Sequence, residues 1–543
     1  MGAGSPRGCG LRTPSPNAFC GRHSATSSRA STSASSSWRA GSRPVTADFV
    51  PCTDADSEHF RTAIIATLGP ASWEESQLER LIDAGATVFR LNFSHGDEAS
   101  HARTLQRIRA VSKRLGVPIG VLGDLPGPKI RLTDVPQGGI ELQTGGRVVF
   151  VRGLDRAEVG DDEIRLGCTI DNIVGDVQVG HRVLIDDGLV RLVARCLEGD
   201  RLVCEVEVPG RISSHKGVNL PDTDLDIEMP TDRDRRFASW AIEHGLDWVA
   251  MSFVRGADDV RSLDAHLRSC AGTEGRPIPI IAKMEVPQAI EQARLIVDEV
   301  DAVMVARGDL GVEMDLALVP SIQKHLLAVA RDARIPCIVA TQMLQSMVES
   351  PAPTRAEASD VANAIFDGAD AVMLSGETAV GAWPVESVET MHRICRITES
   401  TMRSLSITTG GDLEAAASVD MGPLEALVDA AWTAALACDA SCLVVPSRSG
   451  VHARHLSRNT FHLPVLSLAD DARVVRRMLL LRGVTPVQVE RMPDRASLVS
   501  VADGLVRQHG WAKDGETIVV VARDDEVDSG ARIIVHRIGE GGF

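Results

Sequence analysis

The chain has 543 residues, of which 44% are hydrophobic and 24% are charged, and this balance is typical of globular proteins. This balance excludes a disordered chain and a collagen-like fibre. The sequence contains no run of about 18 apolar residues, so no membrane-spanning helix is predicted. The net charge of −17 argues against broad nucleic-acid binding, which needs a basic surface, although a local cluster of positive charge could still bind an anionic substrate.

Residues 1–58 differ in composition from the rest of the chain. They are rich in Ser, Arg, Ala and Gly, and no acidic residue occurs before Asp48. Such a composition resembles an organelle transit peptide, and an upstream extension without function is the alternative. In either case we expect disorder. We therefore expect a cytoplasmic protein, or a plastid or mitochondrial one if the segment is a transit peptide.

From Thr62 onward, short apolar strands alternate with amphipathic helical stretches. The predicted strands are 62–69, 88–94, 119–125, 248–254, 278–284, 302–309, 337–343 and 371–377. Near-continuous apolar strands between helices indicate a parallel sheet, and eight such units predict a closed (β/α)8 TIM barrel. A doubly wound open sheet is the alternative. The barrel occupies residues 59–129 and 217–403.

Two further domains are predicted. Residues 130–216 alternate apolar with polar residues, as in VGHRVLIDDGLVRLV, so we expect an inserted all-β domain, a small β-barrel, that acts as a lid. Residues 404–543 contain a predicted helix, 423–438, and predicted strands at 442–446, 464–468, 484–489, 517–522 and 532–538. They predict a C-terminal α/β regulatory domain.

Polar residues follow the predicted barrel strands at their C-terminal ends, where barrel enzymes carry their active sites. These residues are Arg90, Asn92, Ser94, His95, Asp124, Lys283, Glu285, Arg307, Asp309, Thr341, Gln342, Ser375 and Glu377. For any single residue, a structural role is a reasonable alternative: a subunit-interface ion pair for Arg307, a backbone acceptor for Glu377, a packed ring for His95. As a set, they indicate an active site.

The residue types indicate the chemistry. Glu285 and Asp309 follow neighbouring strands and are hard oxygen ligands suited to Mg²⁺ or Mn²⁺. Lys283 lies two residues before Glu285, so both side chains fall on the same face of the strand. Arg90 can bind phosphate in a bidentate manner, and Thr341 offers a hydroxyl for proton relay. Together they indicate phosphoryl transfer or enolate stabilisation.

Several segments resemble the pyruvate kinase family. They are RLNFSHG, GPKIR, IDDGLV, HKGVNLP, IIAKMEVPQAI, MVARGDLGVE and ATQMLQSM. The resemblance covers about residues 60–400 and is weaker from 410 to 543. It implies the barrel, lid and α/β domains described above. One departure is Val286, where the family commonly has Asn, and strand alternation predicts that its side chain points away from the rim.

The resemblance implies phosphoryl transfer from phosphoenolpyruvate to ADP, which gives pyruvate and ATP. It implies catalytic roles for Arg90, Lys283 and Thr341, substrate binding by these three with Gly308 and Asp309, and a metal held by Glu285 and Asp309. It further implies nucleotide contacts from Asn92, His95, Arg131 and Lys216, with Asp187 near the nucleotide's own metal, and a homotetramer. The alternatives are another enolate-forming barrel enzyme, such as a metal-dependent aldolase, and a catalytically inactive metabolite sensor.

Two regulatory features follow from the same resemblance. Many family members hold K⁺ with oxygens that match Asn92, Ser94, Asp124 and the carbonyl of residue 125, and typically carry Thr and Glu at positions 125 and 129. This chain has Leu125 and Lys129, so we predict that K⁺ is not required. Its effector phosphate loop would comprise Ser447, Arg448, Ser449 and Gly450. The acidic stretch ARDDEVDSGARIIVHRI would repel a second phosphate, which predicts a monophosphate effector or none.

Overall fold

The computed structural model describes residues 62–170, 173–225, 227–273, 275–404, 423–458, 463–494, 496–523 and 531–540. The predicted disordered extension, residues 1–58, lies outside the described residues, as does 524–530 in the acidic C-terminal stretch. All described residues belong to one compact unit. None of the helices among them is both long enough and apolar enough to cross a membrane.

The first part of the barrel contains three strands and two helices. They are β1 (Ala63–Thr67), α1 (Glu75–Asp83), β2 (Val88–Asn92), α2 (Glu98–Leu115) and β3 (Gly120–Asp124). The strands are buried on both faces, which explains their continuous apolar sequence. Helix α2 begins where the Asp97 carboxylate accepts a hydrogen bond from Ser100 N, and it ends at Gly116, whose φ of 69° is left-handed.

The inserted lid is a curled, mostly-β unit. Its elements are β4 (Ile140–Leu142), β5 (Arg147–Val151), β6 (Glu158–Val159), β7 (Ile164–Leu166), α3 (Ile173–Asp176), β8 (Arg182–Ile185), β9 (Val190–Leu197), β10 (Arg201–Val208), β11 (Gly210–Ile212) and β12 (Val218–Asn219). We expected a small closed barrel. The strands instead form an open sheet, β12-β8-β9-β10-β5-β7-β6, and a separate β11-β4 pair. The edge strands β6 and β12 are two residues long.

The second part of the barrel completes the closed sheet. Its elements are α4 (Asp232–Glu243), β13 (Trp248–Met251), α5 (Ala257–Ala271), β14 (Ile280–Met284), α6 (Pro287–Glu291), α7 (Ala293–Val297), β15 (Ala302–Ala306), α8 (Arg307–Glu313), α9 (Val319–Asp332), β16 (Cys337–Ala340), α10 (Arg355–Phe366), β17 (Ala371–Leu374), α11 (Gly376–Ala379) and α12 (Pro384–Ser404). Eight parallel strands close in the order β1-β17-β16-β15-β14-β13-β3-β2. The predicted (β/α)8 barrel is confirmed, and the doubly wound sheet is excluded.

The C-terminal domain is a five-stranded α/β sheet. Its elements are α13 (Pro423–Ala437), β18 (Cys442–Pro446), α14 (Val451–Ser457), β19 (Val465–Ala469), α15 (Ala472–Met478), β20 (Val484–Gln488), α16 (Leu498–Gln508), β21 (Thr517–Arg523) and β22 (Ala531–Arg537). The strand order is β20-β19-β18-β21-β22, with only the last pair antiparallel. The predicted helix and five strands are confirmed.

The C-terminal domain also closes the N-terminal end of the barrel. Leu480, which is 1% exposed, packs with Leu479 into a core cluster to which all eight barrel strands contribute. On either side, Arg476 Nε pairs with Asp247 Oδ1 at 2.7 Å, and Arg482 Nη1 donates to the Ala369 carbonyl at 3.3 Å. The opposite end of the barrel, below the lid, carries the polar residues.

Candidate active site

The barrel interior changes from apolar to polar at its C-terminal end. Inward-facing apolar residues on five adjacent strands are each followed, two positions later, by a polar residue. These polar residues are Thr67, Arg90, Asp124, Ser252 and Lys283. Because side chains alternate along a strand, all five face the same interior space. The sequence analysis did not single out Thr67 and Ser252, although the period of two would have identified them.

Asp124 and Lys283 form the centre of this polar layer. Asp124 Oδ2 accepts a hydrogen bond from Arg90 Nε at 2.6 Å, and Asp124 Oδ1 lies 3.3 Å from Lys283 Nζ. Lys283 Nζ also donates to Ser252 Oγ at 2.7 Å and lies 2.7 Å from Glu285 Oε1. Arg90 Nη1 donates to Thr67 Oγ1 at 3.0 Å. The predicted residues Arg90, Asp124, Lys283 and Glu285 are therefore brought together.

The charges in this layer determine the ionisation of its members. Burial lowers the pKa of Lys283, but the carboxylates of Asp124, Glu285 and Asp309 outweigh this effect, so the pKa rises and the side chain stays an ammonium at neutral pH. Burial raises the pKa of Asp124, but Lys283 and Arg90 prevail and lower it. Burial raises the pKa of Glu285, against the opposing effect of Lys283.

Glu285 and Asp309 fit a divalent cation. Glu285 is fully buried; Oε2 accepts a hydrogen bond from Phe253 N at 2.8 Å, and Oε1 pairs with Lys283 Nζ at 2.7 Å. Asp309 lies half-buried in the first turn of α8, beyond the strand that pairs with β14. Within the described parts of the chain, no three His, Cys, Asp or Glu residues cluster as metal ligands. Two carboxylates would leave the remaining coordination positions to substrate and water.

Thr341 lies in a strained turn beside α8. The φ angles of Thr341 and Gln342 are 65° and 55°, both in the left-handed region. A positive φ is unusual for a residue with a branched Cβ, such as Thr341. The turn shortens the predicted strand 337–343 to Cys337–Ala340. Gly308 N donates to Thr341 Oγ1 at 2.7 Å, and this hydroxyl donates to the Ala340 carbonyl at 2.7 Å. The predicted neighbours Gly308 and Thr341 are thus in direct contact.

Arg307 and Glu377 support the surrounding loops. Arg307 pairs with Asp360 of its own chain at 2.6 Å, and it donates to the Thr341 carbonyl at 3.0 Å, so it holds the strained turn. Glu377 is fully buried and accepts hydrogen bonds from the backbone N–H groups of Leu344 and Ser375. The interpretation of Glu377 as a structural acceptor is confirmed.

A cavity of about 400 Å³ separates the lid from the rim of the barrel. The predicted residues that line it are Lys129, Arg131, Asp187, Lys216 and Asp309. Lys216 Nζ pairs with Asp186 at 2.8 Å, and Arg131 Nη1 donates to the His215 carbonyl at 2.8 Å. Both basic residues are therefore held by partners at the cavity wall.

Val286 belongs to the cavity wall, and its side chain packs against the core between the barrel strands and their helices, so its direction relative to the rim stays a prediction. Strand β14 ends at Met284, and the chain then turns into α6, so strand alternation no longer applies at position 286.

His95 and its neighbours lie in the turn after β2, outside the lining of this cavity. The Asn92 Oδ1 atom accepts a hydrogen bond from Ser94 N at 3.1 Å. The His95 side chain is exposed rather than packed, so the alternative of a packed ring is wrong. Partial desolvation and the positive charges of Lys129 and Arg131 lower the pKa of His95, which keeps the ring neutral at neutral pH.

Lys129 projects from the segment that enters the lid. Its side chain is open to the cleft, and it forms no ion pair with any carboxylate of the described residues. Desolvation by the surrounding protein and the charge of Lys283 lower its pKa, while Asp309 and Asp124 act in the opposite direction.

The Leu125 carbonyl accepts a hydrogen bond from Ser252 Oγ at 2.7 Å.

The predicted effector loop follows β18 in the C-terminal domain. Ser447 is 1% exposed, and its Oγ atom has no hydrogen-bond partner. The loop, which also contains Arg448 and Ser449, ends at Gly450, whose φ of 84° is left-handed. An unpartnered buried hydroxyl is consistent with a loop that receives a polar ligand.

Buried lysine, arginine and paired carboxylates at the open end of a lidded barrel define an enzyme that acts on small anionic metabolites. Two family models match the chain: the pyruvate kinase barrel domain over residues 59–388, and the pyruvate kinase alpha/beta domain over residues 425–532. A pyruvate kinase from Agrobacterium vitis is 42% identical over 467 residues, covering 85% of this chain and 94% of that protein.

Two further comparisons agree with this result. A pyruvate kinase from Corynebacterium efficiens is 39% identical, covering 88% of this chain and 98% of that protein. A crystal structure of a pyruvate kinase from Cryptosporidium parvum superposes with a TM-score of 0.81 at 31% identity, covering 90% and 98% of the two chains. The chain belongs to the pyruvate kinase family and is a phosphotransferase.

Proposed function

We propose that this enzyme transfers the phosphoryl group of phosphoenolpyruvate to ADP at the rim of the barrel, beneath the lid. The observation that carries the proposal is the polar layer in which Lys283 contacts Asp124, Ser252 and Glu285. This layer places the Lys283 ammonium 2.7 Å from a buried carboxylate oxygen, Glu285 Oε1. Such an arrangement suits a substrate that gains and loses negative charge on oxygen.

Each residue of the layer has a distinct role in this proposal. Arg90 binds the phosphoryl group, and Lys283 stabilises both the phosphoryl group in transfer and the enolate oxygen that it leaves behind. The raised pKa of Lys283 makes it a poor acid, so it does not protonate the enolate carbon. Thr341 delivers that proton through a water, and with the backbone at 308–309 it positions the substrate carboxylate.

Glu285 and Asp309 would hold the divalent cation, Mg²⁺ or Mn²⁺. When bound, the ion supplies positive charge that offsets the carboxylate and phosphoryl oxygens of the substrate. The hard oxygen donors and the burial of Glu285 at the rim support this assignment.

ADP and ATP bind in the cavity between lid and barrel. Arg131 and Lys216 supply positive charge to the phosphates, and Asn92 and His95 contact the nucleotide from the turn after β2. Asp187, on the cavity wall, would face a metal that accompanies the nucleotide. Closure of the lid excludes water, which would otherwise compete with ADP for the phosphoryl group. The position of Arg131 and Lys216 on the cavity wall supports the assignment.

K⁺ is not required in this proposal, because Lys129 supplies the positive charge that a bound K⁺ would bring. Asp124, one of the expected K⁺ ligands, directs its oxygens at Arg90 and Lys283, and the expected ligand carbonyl at Leu125 accepts the Ser252 hydroxyl. The absence of a carboxylate partner for Lys129 among the described residues leaves its charge available to substrate phosphates.

The remaining proposals concern organisation. We place the extension at 1–58, the barrel at 59–129 and 217–403, the lid at 130–216 and the regulatory domain at 404–543; the short strand β12, at the start of the second barrel segment, pairs with β8 of the lid sheet. The enzyme works as a homotetramer in the cytoplasm, or in a plastid or mitochondrion if 1–58 is a transit peptide. A sugar or nucleotide monophosphate acts at residues 447–450, or no effector acts there.

A coupled assay tests the central proposal. The purified enzyme, with phosphoenolpyruvate, ADP and Mg²⁺, should form pyruvate and ATP, and Lys283→Met should lose this activity while retaining the wild-type melting temperature within a few degrees. Cleavage of 2-keto acids by the same preparation, without ATP formation, would instead support a metal-dependent aldolase. A preparation inactive in both assays would contradict the proposal.

A further inference from the structure

Helix α8 carries functional residues at both ends. Gly308 and Asp309 lie in its first turn, and Glu313 is its last residue. The Glu313 side chain is only 7% exposed and lines the cavity between lid and barrel. Its Oε1 atom accepts a hydrogen bond from Asn219 Nδ2 at 2.7 Å. A buried carboxylate in this position links the helix to the lid.

Asn219 belongs to the segment through which the chain leaves the lid. It ends strand β12, which pairs with β8, and Asn219 lies opposite Leu184 in that pairing. Strand β8 leads directly into Asp186, the partner of Lys216. The hydrogen bond to Glu313 therefore fixes the lid strand that precedes the acidic turn at the cavity wall.

The lid backbone also passes close to the same helix at a second place. In the turn after β8, a Cβ atom on Gly188 would lie 4.0 Å from Val312 Cγ1, so the lid backbone passes close to α8 there. At its other end, α8 is fixed to the barrel, because Gly308 N donates to Thr341 Oγ1 and Arg307 pairs with Asp360. Helix α8 thus connects the lid to the substrate end of the barrel.

We propose that Glu313 is a positioning residue: through Asn219 it fixes the lid relative to the helix that carries Asp309, and so sets the geometry of the nucleotide cavity. The inference rests on the proposed nucleotide site in that cavity. Glu313 does not contact a reacting atom in this account. Its effect on nucleotide binding passes through one hydrogen bond, and that bond needs a donor on one side and an acceptor on the other.

The test removes the acceptor at Glu313 and the donor at Asn219, separately and together. Glu313→Gln keeps an acceptor oxygen and should leave the dissociation constant of MgADP, measured by calorimetry, within about threefold of wild type. Glu313→Ala and Asn219→Ala should each weaken MgADP binding about tenfold, the cost of one lost hydrogen bond to a charged group. The double alanine variant should be no weaker than either single variant, because both remove the same contact.

The reversed pair provides the sharpest comparison. Asn219→Asp alone places two carboxylates together and should weaken MgADP binding more than Asn219→Ala. The combination Asn219→Asp with Glu313→Gln restores a donor and an acceptor, and should return binding to within about threefold of wild type. Asp264→Ala is the matched control: it removes a carboxylate from α5 that pairs with Arg268 and Arg276, outside the cavity lining, and should leave binding unchanged.

Additive effects of the two alanine substitutions, or failure of the reversed pair to recover binding, would overturn the inference. So would a fall in melting temperature of the Glu313→Ala enzyme with unchanged MgADP binding. Turnover of the wild-type enzyme with phosphoenolpyruvate and ADP is measured separately. A wild-type enzyme that binds MgADP but does not turn over would contradict the proposed function, while the calorimetric comparison would still decide the role of Glu313.

Discussion

The charge of Lys129 gives a direct test of the monovalent-cation requirement. The side chain projects into the cleft, and its charge acts on Lys283, Asp309 and Asp124 at the rim. Lys129→Glu changes the local formal charge by two units. We expect the wild-type enzyme to turn over in buffers without K⁺ or NH₄⁺ and to gain little from added K⁺. The variant should lose activity, and the remainder should respond to K⁺.

The size of the effect follows from Coulomb's law. Two unit charges about 6 Å apart interact by about 3 kcal/mol at an effective dielectric constant of 20. Lys129 is open to solvent, so screening reduces this to about 1 kcal/mol. Lys129→Glu removes one repulsive interaction with a bound cation and adds one attractive interaction, so the interaction free energy changes by about 2 kcal/mol. A cation in the adjacent site should therefore bind the Lys129→Glu variant about thirtyfold more tightly than the wild-type enzyme.

The assay compares turnover in tetramethylammonium buffer with and without KCl at constant ionic strength. Lys113→Glu is the matched control, because it makes the same charge change at an exposed position on α2 that does not line the cavity. It should leave both the activity and the K⁺ response unchanged. A wild-type enzyme that is silent without K⁺ and strongly activated by it would refute the charge argument.

Three further expectations concern other parts of the molecule. Glu285→Gln and Asp309→Asn should each lower kcat at least about a hundredfold and weaken Mn²⁺ binding, measured by electron paramagnetic resonance, because each removes a charged ligand; near-normal turnover at ordinary Mg²⁺ would contradict the metal assignment. We expect either activation by sugar or nucleotide monophosphates that exceeds activation by fructose 1,6-bisphosphate, or no activation by any of them. Strong activation by micromolar bisphosphate in initial-rate assays would show that the acidic C-terminal stretch does not repel a second phosphate. Leu480→Ala should lower the free energy of unfolding by about 2–5 kcal/mol in urea titrations, since it opens a cavity in the barrel interior; Leu295→Ala, at an exposed site, should change it little.

The sequence predicted the barrel because its strands are buried on both faces and therefore read as apolar runs. Alternation along β14 also predicted that Lys283 and Glu285 lie on one face, and the two side chains are in contact. The same rule does not reach Val286, because the strand ends at Met284. It could have identified Ser252, whose hydroxyl accepts from Lys283, but a single serine in an apolar run gives no chemical signal by itself.

Periodicity in the sequence does not predict contacts between distant segments. Asn219 and Glu313 are 94 residues apart, and Arg476 and Asp247 are 229 apart, so no local period relates the members of either pair. Each contact arises only when a closed barrel brings an inserted or appended domain against one of its ends. The signal in the sequence is limited to residue type: a polar residue that becomes buried requires a partner, and the fold determines which one it finds.

The closed N-terminal end of the barrel has a consequence for the rim. Since Leu480 fills that end, substrates can reach the polar layer only from the side covered by the lid. The same segment lies against the predicted effector loop, because a Cβ atom on Gly450 would lie 3.4 Å from Met478 Cγ, two residues before Leu480. Coupling between distant sites requires contacting groups that have two discrete arrangements. A ligand at residues 447–450 would therefore influence the barrel through Met478 only if it changed the packing of that side chain.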